Sequence, residues 1–190
     1  THQAQGHKDH GASSLDEKKR VRRMQTLAIK NPTIWLIAAA SAFMYVARYA
    51  INSWGIFFLE VGKGYPRVEA GAIISIGAVS GVLGTIASGW LCDRWFLNNR
   101  FLPSLLAGIL NTLSLAVFLA IPAGYPLVDY MCMVGFGVSI GALICYLGGL
   151  LAIDSVPKEA AGAALGMVGI ASYVGAGIQD YASGHLIEKF

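Results

Sequence analysis

The chain has 190 residues, of which 55% are hydrophobic and 13% are charged, and its formal net charge is +3. Soluble globular domains carry about 25% charged residues, so this composition argues against a soluble domain and indicates an integral membrane protein. The small net charge gives no reason to expect a nucleic-acid partner. Because the sequence begins with Thr and shows no signal-peptide pattern, we expect a piece of a larger protein.

Residues 1–32 form a basic, polar segment with seven Lys or Arg side chains against three Asp or Glu. Ser14 and Glu17 have the spacing of a capping box, in which both side chains satisfy free amides at a helix start. We therefore predict a linker with a short helix that ends at about Ala28. This helix is either a basic helix on an anionic membrane surface or a plain linker helix.

Five long apolar segments follow the linker, at about 33–59, 68–92, 101–122, 127–153 and 159–184. A helix needs about 20 residues to cross the hydrocarbon core, and it satisfies its own backbone polar groups there. The short connections make neighbouring helices antiparallel. The sequence therefore predicts an all-α protein, with a polytopic membrane helical bundle over residues 33–190.

Lys and Arg are distributed unevenly between the two ends of these helices. Ten lie in the linker and in the loops on its side, three lie at the opposite end, and Arg48 is within the first span. Because cytoplasmic loops carry an excess of Lys and Arg, we expect residues 1–32 to be cytoplasmic.

The first span carries a polar stripe on one helix face, formed by Ser41, Tyr45, Arg48 and Asn52. A guanidinium at this depth costs about 3 kcal/mol on insertion scales, so the stripe must face protein or a water-filled cavity. Arg48 suits phosphate because its planar fork donates two parallel hydrogen bonds, and Tyr45 is close enough to share the anion. The alternative is that Arg48 pairs with a buried acid and only holds helices together.

The fifth span carries Tyr173 and Asp180 on one face, seven residues apart. Both are candidate substrate-binding residues. Asp180 has three interpretations: it pairs with Arg48 when the site is empty, it contacts a hydroxyl or amine of the substrate, or it is simply solvated near the outer end.

The inner end of the second span carries a candidate conformational latch, formed by Gly89, Asp93, Arg94 and Arg100. The glycine permits tight packing, and the carboxylate and arginines form a charge cluster or cap a neighbouring helix. The alternative is a surface-charged turn with no gating role.

Glycines recur at four-residue spacing in three places, Gly77/Gly81, Gly137/Gly141 and Gly162/Gly166. Such pairs let helix backbones approach closely. We also predict that Asn111 donates an interhelical hydrogen bond rather than contacting a ligand.

The sequence contains no Walker loop, Rossmann fingerprint, nucleophile elbow or His-rich metal set. We therefore predict that the chain is not an enzyme and needs no cofactor or metal.

Two groups of residues carry a family resemblance. The stretch Gly89–Arg100 resembles the signature of the major facilitator superfamily, in the weaker copy found in the second half of those transporters. This stretch, Tyr45–Trp54 and Lys158–Gly162 in combination resemble the organophosphate:phosphate antiporter family, and the resemblance covers residues 31–190. That family includes glycerol-3-phosphate and hexose-phosphate carriers and a related hexose-phosphate sensor.

The resemblance implies the second half of a major facilitator fold with five of its six helices. Arg48 would then bind the phosphate of an organophosphate or inorganic phosphate, opposite an arginine of an N-terminal six-helix half. Tyr45 and Tyr173 match site tyrosines of the family, and residues around Asp180 select the organic group. The implied function is exchange of the two anions by alternating access across a bacterial inner membrane; the alternatives are a sensor of the same fold, or a facilitator for a different anion or drug.

Overall fold

The structure is a computed structural model that describes residues 19–95 and 100–187, and they form helices joined by short loops. The predicted capping box of Ser14 and Glu17 lies outside the described residues. The helices are α1 (residues 19–30), α2 (Pro32–Phe57), α3 (Arg67–Trp95), α4 (Phe101–Ala120), α5 (Pro126–Cys145), α6 (Leu151–Asp154) and α7 (Ala161–Ile187). Two five-residue π-helical turns extend α2 and α5, at Phe58–Gly62 and Tyr146–Leu150, and a 3₁₀ turn, Lys158–Ala160, precedes α7.

Five helical stretches are long and apolar enough to cross a membrane: Pro32–Gly62, Arg67–Cys92, Phe101–Ala120, Pro126–Asp154 and Lys158–His185. The predicted class, an all-α membrane helical bundle, is confirmed. The π-helical turns continue the spans that α2 and α5 begin, so these two spans are longer than their α-helical parts.

Local sequence chemistry fixes where the spans begin. Asn31 caps α2, because its side-chain oxygen accepts a hydrogen bond from the Thr33 amide at 3.0 Å, and Pro32 occupies the first helical turn. Pro126 likewise occupies the first turn of α5, where Tyr125 makes no side-chain cap. Gly124 has a φ of +101°, a conformation that a side chain would strain, and it allows the short turn between α4 and α5.

The helices α3 and α5 pack backbone against backbone through the predicted glycine pairs. A Cβ added at Gly137 would collide with the Gly77 carbonyl, and one added at Gly141 would collide with the Gly81 carbonyl. Two of the three predicted pairs therefore pack against each other. The third pair, Gly162/Gly166, meets nothing within 4 Å in the described part of the chain.

The helices α2 and α7 form the second extensive contact. At its buried centre the Ser41 and Ser172 hydroxyls lie 2.7 Å apart. Because Ser172 donates its own proton to the Val168 carbonyl, Ser41 is the donor between them. One residue of the predicted polar stripe thus serves helix packing.

The helix α4 packs on α5, and the Asn111 side-chain oxygen accepts a hydrogen bond from the Ser139 hydroxyl at 3.2 Å. The predicted interhelical bond is therefore present, with Asn111 as its acceptor rather than its donor. The bundle therefore consists of a group of α3, α4 and α5 and a pair of α2 and α7. Contacts between the two groups are fewer than contacts within them, and the candidate site lies between α2 of one group and α3 and α5 of the other.

Candidate functional site

A cavity of about 210 Å³ lies between α2, α3 and α5. Arg48 and Asn52 line it from α2, and Thr85 lines it from α3. The remaining wall is apolar or consists of glycine backbone, because α3 and α5 meet there through their glycine pairs. The close approach of these helices leaves room for a small ligand next to the guanidinium.

Arg48 is half-buried and has no ion-pair partner among residues 19–95 and 100–187. Its guanidinium carbon lies 5.7 Å from the centre of the Tyr45 ring, within cation–π range. The alternative in which Arg48 pairs with a buried acid has no support in the described part of the chain. The fork of the guanidinium is therefore available for an anion.

Two further tyrosines pack on Tyr45, the neighbour of Arg48. The Tyr45 ring stacks on Tyr49 with 6.0 Å between centroids, and it meets Tyr173 of α7 edge to face at 5.5 Å. The predicted residues Tyr45, Arg48 and Tyr173 are thus brought together from two helices. Asn52 lies one turn further along α2 on the cavity wall.

Asp180 is exposed and accepts a hydrogen bond from the Ser53 hydroxyl at 2.9 Å. Ser53 is five residues after Arg48, which places it about 140° round the helix axis from the arginine. Asp180 therefore does not pair with Arg48 in this conformation. The interpretations that remain are contact with a substrate group and simple solvation.

At the inner end, the two predicted latch arginines contact different partners instead of meeting in one charge cluster. Arg100 makes a 3.0 Å ion pair with Asp154 at the end of α6, and Arg94 lies over the Trp90 ring at 5.8 Å. The side chain of Asp93 lies outside the described residues. Among the described residues, nothing lies within 4 Å of a Cβ added at Gly89.

Comparison with known proteins decides the family. The family model described as "Major Facilitator Superfamily" matches residues 3–179.

The chain belongs to the major facilitator superfamily.

Its relatives in this superfamily include carriers of phosphorylated molecules and a sensor. The chain is 32% identical over 165 residues to the glycerol-3-phosphate transporter of Bacillus subtilis, covering 85% of the chain and 36% of that protein. It is 32% identical to the membrane sensor protein UhpC of Escherichia coli, covering 84% and 36%. It is 30% identical to the probable hexose phosphate transport protein of Chlamydia pneumoniae, covering 86% and 36%. The chain thus spans about a third of the length of these relatives.

One polar cluster of this superfamily member escaped sequence reasoning. Lys63, just after α2, is buried and donates hydrogen bonds to Asp129 of α5 and, at 2.8 Å, to the Phe118 carbonyl of α4. Tyr65 donates to the other oxygen of Asp129 at 2.8 Å. Burial and the hydrogen bond to Asp129 raise the pKa of Tyr65 to about 12, so its hydroxyl keeps the proton that it donates.

The sequence shows only that Lys63 lies between two spans, a position typical of a solvated loop cation. The one sequence signal for this cluster is Asp129 in the first turn of α5. A carboxylate so near the start of an apolar span requires a partner or water.

Proposed function

We propose that this chain is most of the C-terminal half of an alternating-access transporter that exchanges an organophosphate for inorganic phosphate. The observation that carries the proposal is Arg48, which faces a cavity without an acidic partner in the described part of the chain. The names of the relatives, carriers of glycerol phosphate and hexose phosphate, support phosphate as the anionic group.

Phosphate suits this site for a physical reason. The guanidinium remains charged because Arg does not lose its proton in proteins, and it is weakly hydrated, so an anion with two coplanar oxygens compensates it well. We assign the hydroxyl donors of the site to Tyr45, whose ring lies 5.7 Å from the guanidinium carbon, and to Tyr173, which packs on that ring. A second arginine from an N-terminal six-helix half would complete a clamp on the phosphate at the interface between the halves.

Exchange follows from the charge of the site. Two arginines facing each other without an anion repel, so the empty site resists closing, whereas a bound phosphate neutralises the site and permits the halves to rock. A return step then requires another anion. The cycle includes no catalytic step, so the protein is not an enzyme and needs neither ATP nor a cofactor.

The organic part of the substrate would contact the residues outward of Arg48. Asn52 lines the cavity, and Ser53 holds the exposed Asp180 carboxylate about 7.5 Å along the axis from Arg48. We assign Asn52 and Asp180 to recognition of the organic group.

We place the protein in a bacterial inner membrane with residues 1–32 in the cytoplasm. The excess of Lys and Arg on the side of the linker supports this orientation. In this orientation the Arg100–Asp154 ion pair lies at the cytoplasmic end, where the latch residues Gly89, Asp93, Arg94 and Arg100 would stabilise one conformation.

A sensor is the second candidate function, because the similarity to the sensor protein UhpC equals the similarity to the glycerol-3-phosphate transporter in percentage identity. Uptake of labelled phosphate into proteoliposomes that contain the full-length protein separates the two. Transport predicts uptake driven by internal phosphate. Binding of phosphate without uptake would favour the sensor.

Replacing Arg48 with Lys tests the site itself. Lys keeps the charge but loses the two parallel hydrogen bonds, so we expect phosphate exchange to fall at least about tenfold. The matched control is Arg67→Lys, because Arg67 is exposed and its ion pair with Glu60 is long, at 3.9 Å. We expect this variant to retain exchange. Unchanged exchange in Arg48→Lys would assign Arg48 a structural role and favour a facilitator for a different anion or drug.

A further inference from the structure

The helix α1 carries an unusual concentration of positive charge. Residues 19–30 include five basic side chains and no acidic one, namely Lys19, Arg20, Arg22, Arg23 and Lys30. All five are exposed. Only Arg20 has an ion-pair partner in the described part of the chain, Glu159 at 2.9 Å, which leaves four cations uncompensated there.

The structure fixes which face of α1 turns outward. Ala28 is buried, and Val21, Met24 and Gln25, one or two turns before it, are half-buried on the same side. The four remaining basic residues lie on the opposite side. The inward face and the Arg20–Glu159 pair therefore hold α1 against the bundle while the basic face points away from it.

The position of α1 relative to the first span is also fixed. Asn31 alone separates α1 from α2, and its side-chain amide donates to the Ser155 carbonyl at 3.3 Å. The Trp35 indole donates to the Ile29 carbonyl at 2.9 Å, in the last turn of α1. The end of α1 is thus tied to the point where the apolar span begins.

Apolar side chains flank the basic face. Leu27 and Ile29 are 55% and 47% exposed, and Trp35 is 58% exposed. Tryptophan is enriched at the boundary between the hydrocarbon and the headgroups of a bilayer. A helix that presents Lys and Arg beside exposed Leu, Ile and Trp has the chemistry of the interfacial layer of a membrane.

We propose that the basic face of α1, defined by Lys19, Arg22, Arg23 and Lys30, binds the headgroups of anionic lipids in the leaflet next to it. The cluster lies beside the start of a membrane span, at the depth where lipid phosphates lie, and basic clusters in that position are attracted to anionic bilayers. Leu27, Ile29 and Trp35 enter the adjacent boundary of the hydrocarbon. A bound bilayer surface orders α1.

Hydrogen exchange of the full-length protein in nanodiscs tests the proposal. We compare a zwitterionic bilayer with one that contains about one third phosphatidylglycerol, and we follow the backbone amides of residues 19–30. The expected result is exchange about tenfold slower in the anionic bilayer, with no difference in α5 as an internal reference. High salt abolishes the difference, because it screens exposed charges.

Two variants make the test specific. Replacing the four residues of the basic face with Gln removes the charge but keeps helix propensity, and we expect equal exchange in both bilayers. Arg22→Lys with Arg23→Lys keeps the charge, and we expect the native difference. Equal exchange of the native protein in both bilayers would overturn the proposal, as would equal protection by inorganic phosphate in the zwitterionic bilayer or a lipid effect that survives in the four-Gln variant.

Discussion

The Lys63–Asp129 pair is buried at the end of the bundle away from α1, with side-chain exposures of 4% and 0%. Taking two charges out of water is costly, and mutual attraction offsets the cost only when the remaining donors and acceptors are satisfied. Here the Phe118 carbonyl and the Tyr65 hydroxyl satisfy them, and the Phe118 ring lies 4.5 Å from the ammonium. Three segments therefore depend on one ion pair.

Breaking this pair from one side should destabilise the protein strongly. In Asp129→Asn the Lys63 ammonium loses its counter-charge, and we expect the free energy of unfolding to fall by about 3–5 kcal/mol. Thermal and denaturant unfolding of the full-length protein in detergent measure it. Lys63→Met combined with Asp129→Leu should recover most of the loss, because neither charge remains.

The control for this prediction is Arg67→Met at the same end. Arg67 is exposed and its ion pair with Glu60 is long, so its loss should cost less than about 1 kcal/mol. Equal effects of Asp129→Asn and Arg67→Met would contradict the role of the buried pair.

Contacts between residues of one helix were predictable from the sequence, whereas contacts between residues of distant segments were not. Helical spacing alone placed Tyr45 and Arg48 on one face, and the structure has them in contact. Spacing carried no information that Asp180 would bond to Ser53, or that Arg100 would pair with Asp154. Those contacts depend on how segments 54 or more residues apart pack together, which a single sequence does not encode locally.

At the scale of elements, the five spans were predictable because apolar length is a direct physical requirement of the bilayer. The glycine intervals also predicted that helices would approach closely, although not that α3 and α5 would be the partners. The π-helical turns at Phe58–Gly62 and Tyr146–Leu150 were not predicted. Their extra residue per turn leaves no periodic signal in apolar segments, and glycines within them, such as Gly148, are equally compatible with an ordinary helix.

Replacing Gly137 with Ala tests the contact between α3 and α5. The new methyl would meet the Gly77 carbonyl, and backbone cannot move aside cheaply, so we expect a loss of about 1–3 kcal/mol in the free energy of unfolding. Gly166→Ala is the matched control on α7, where the described residues leave open space. It should be neutral or stabilise by about 0.4–1 kcal/mol. If both variants unfold alike, α3 and α5 are not tightly packed.

At the scale of the whole molecule, the bundle is two tightly packed groups with the Arg48 cavity between them. The Lys63–Asp129 pair joins α2 to α5 at one end, and the Arg100–Asp154 pair joins the start of α4 to the end of α6 at the other. The Lys63–Asp129 pair is buried, so breaking it is costly. The second is partly exposed, so it forms and breaks at low cost, as a conformational latch requires.

Reversing the charges of the second pair tests the latch in the full-length protein. We expect Arg100→Asp or Asp154→Arg alone to change the rate of phosphate exchange about two- to fivefold, the effect of an exposed ion pair on a two-state equilibrium. The double exchange of charges should restore the native rate. If both single variants and the double variant exchange phosphate at the native rate, the pair has no gating role and belongs to a surface-charged turn.

The burial of Lys63 also changes the electric field that a substrate meets. At that end of the described chain, the Lys63 charge is cancelled by Asp129, and the remaining cation, Arg67, stands near Glu60. The described cations at that end therefore attract an approaching anion little from a distance, whereas the opposite end carries the exposed Arg94 and Lys158. Long-range attraction falls with ionic strength, so in the proposed transporter the entry of an anion from the two sides should respond unequally to salt.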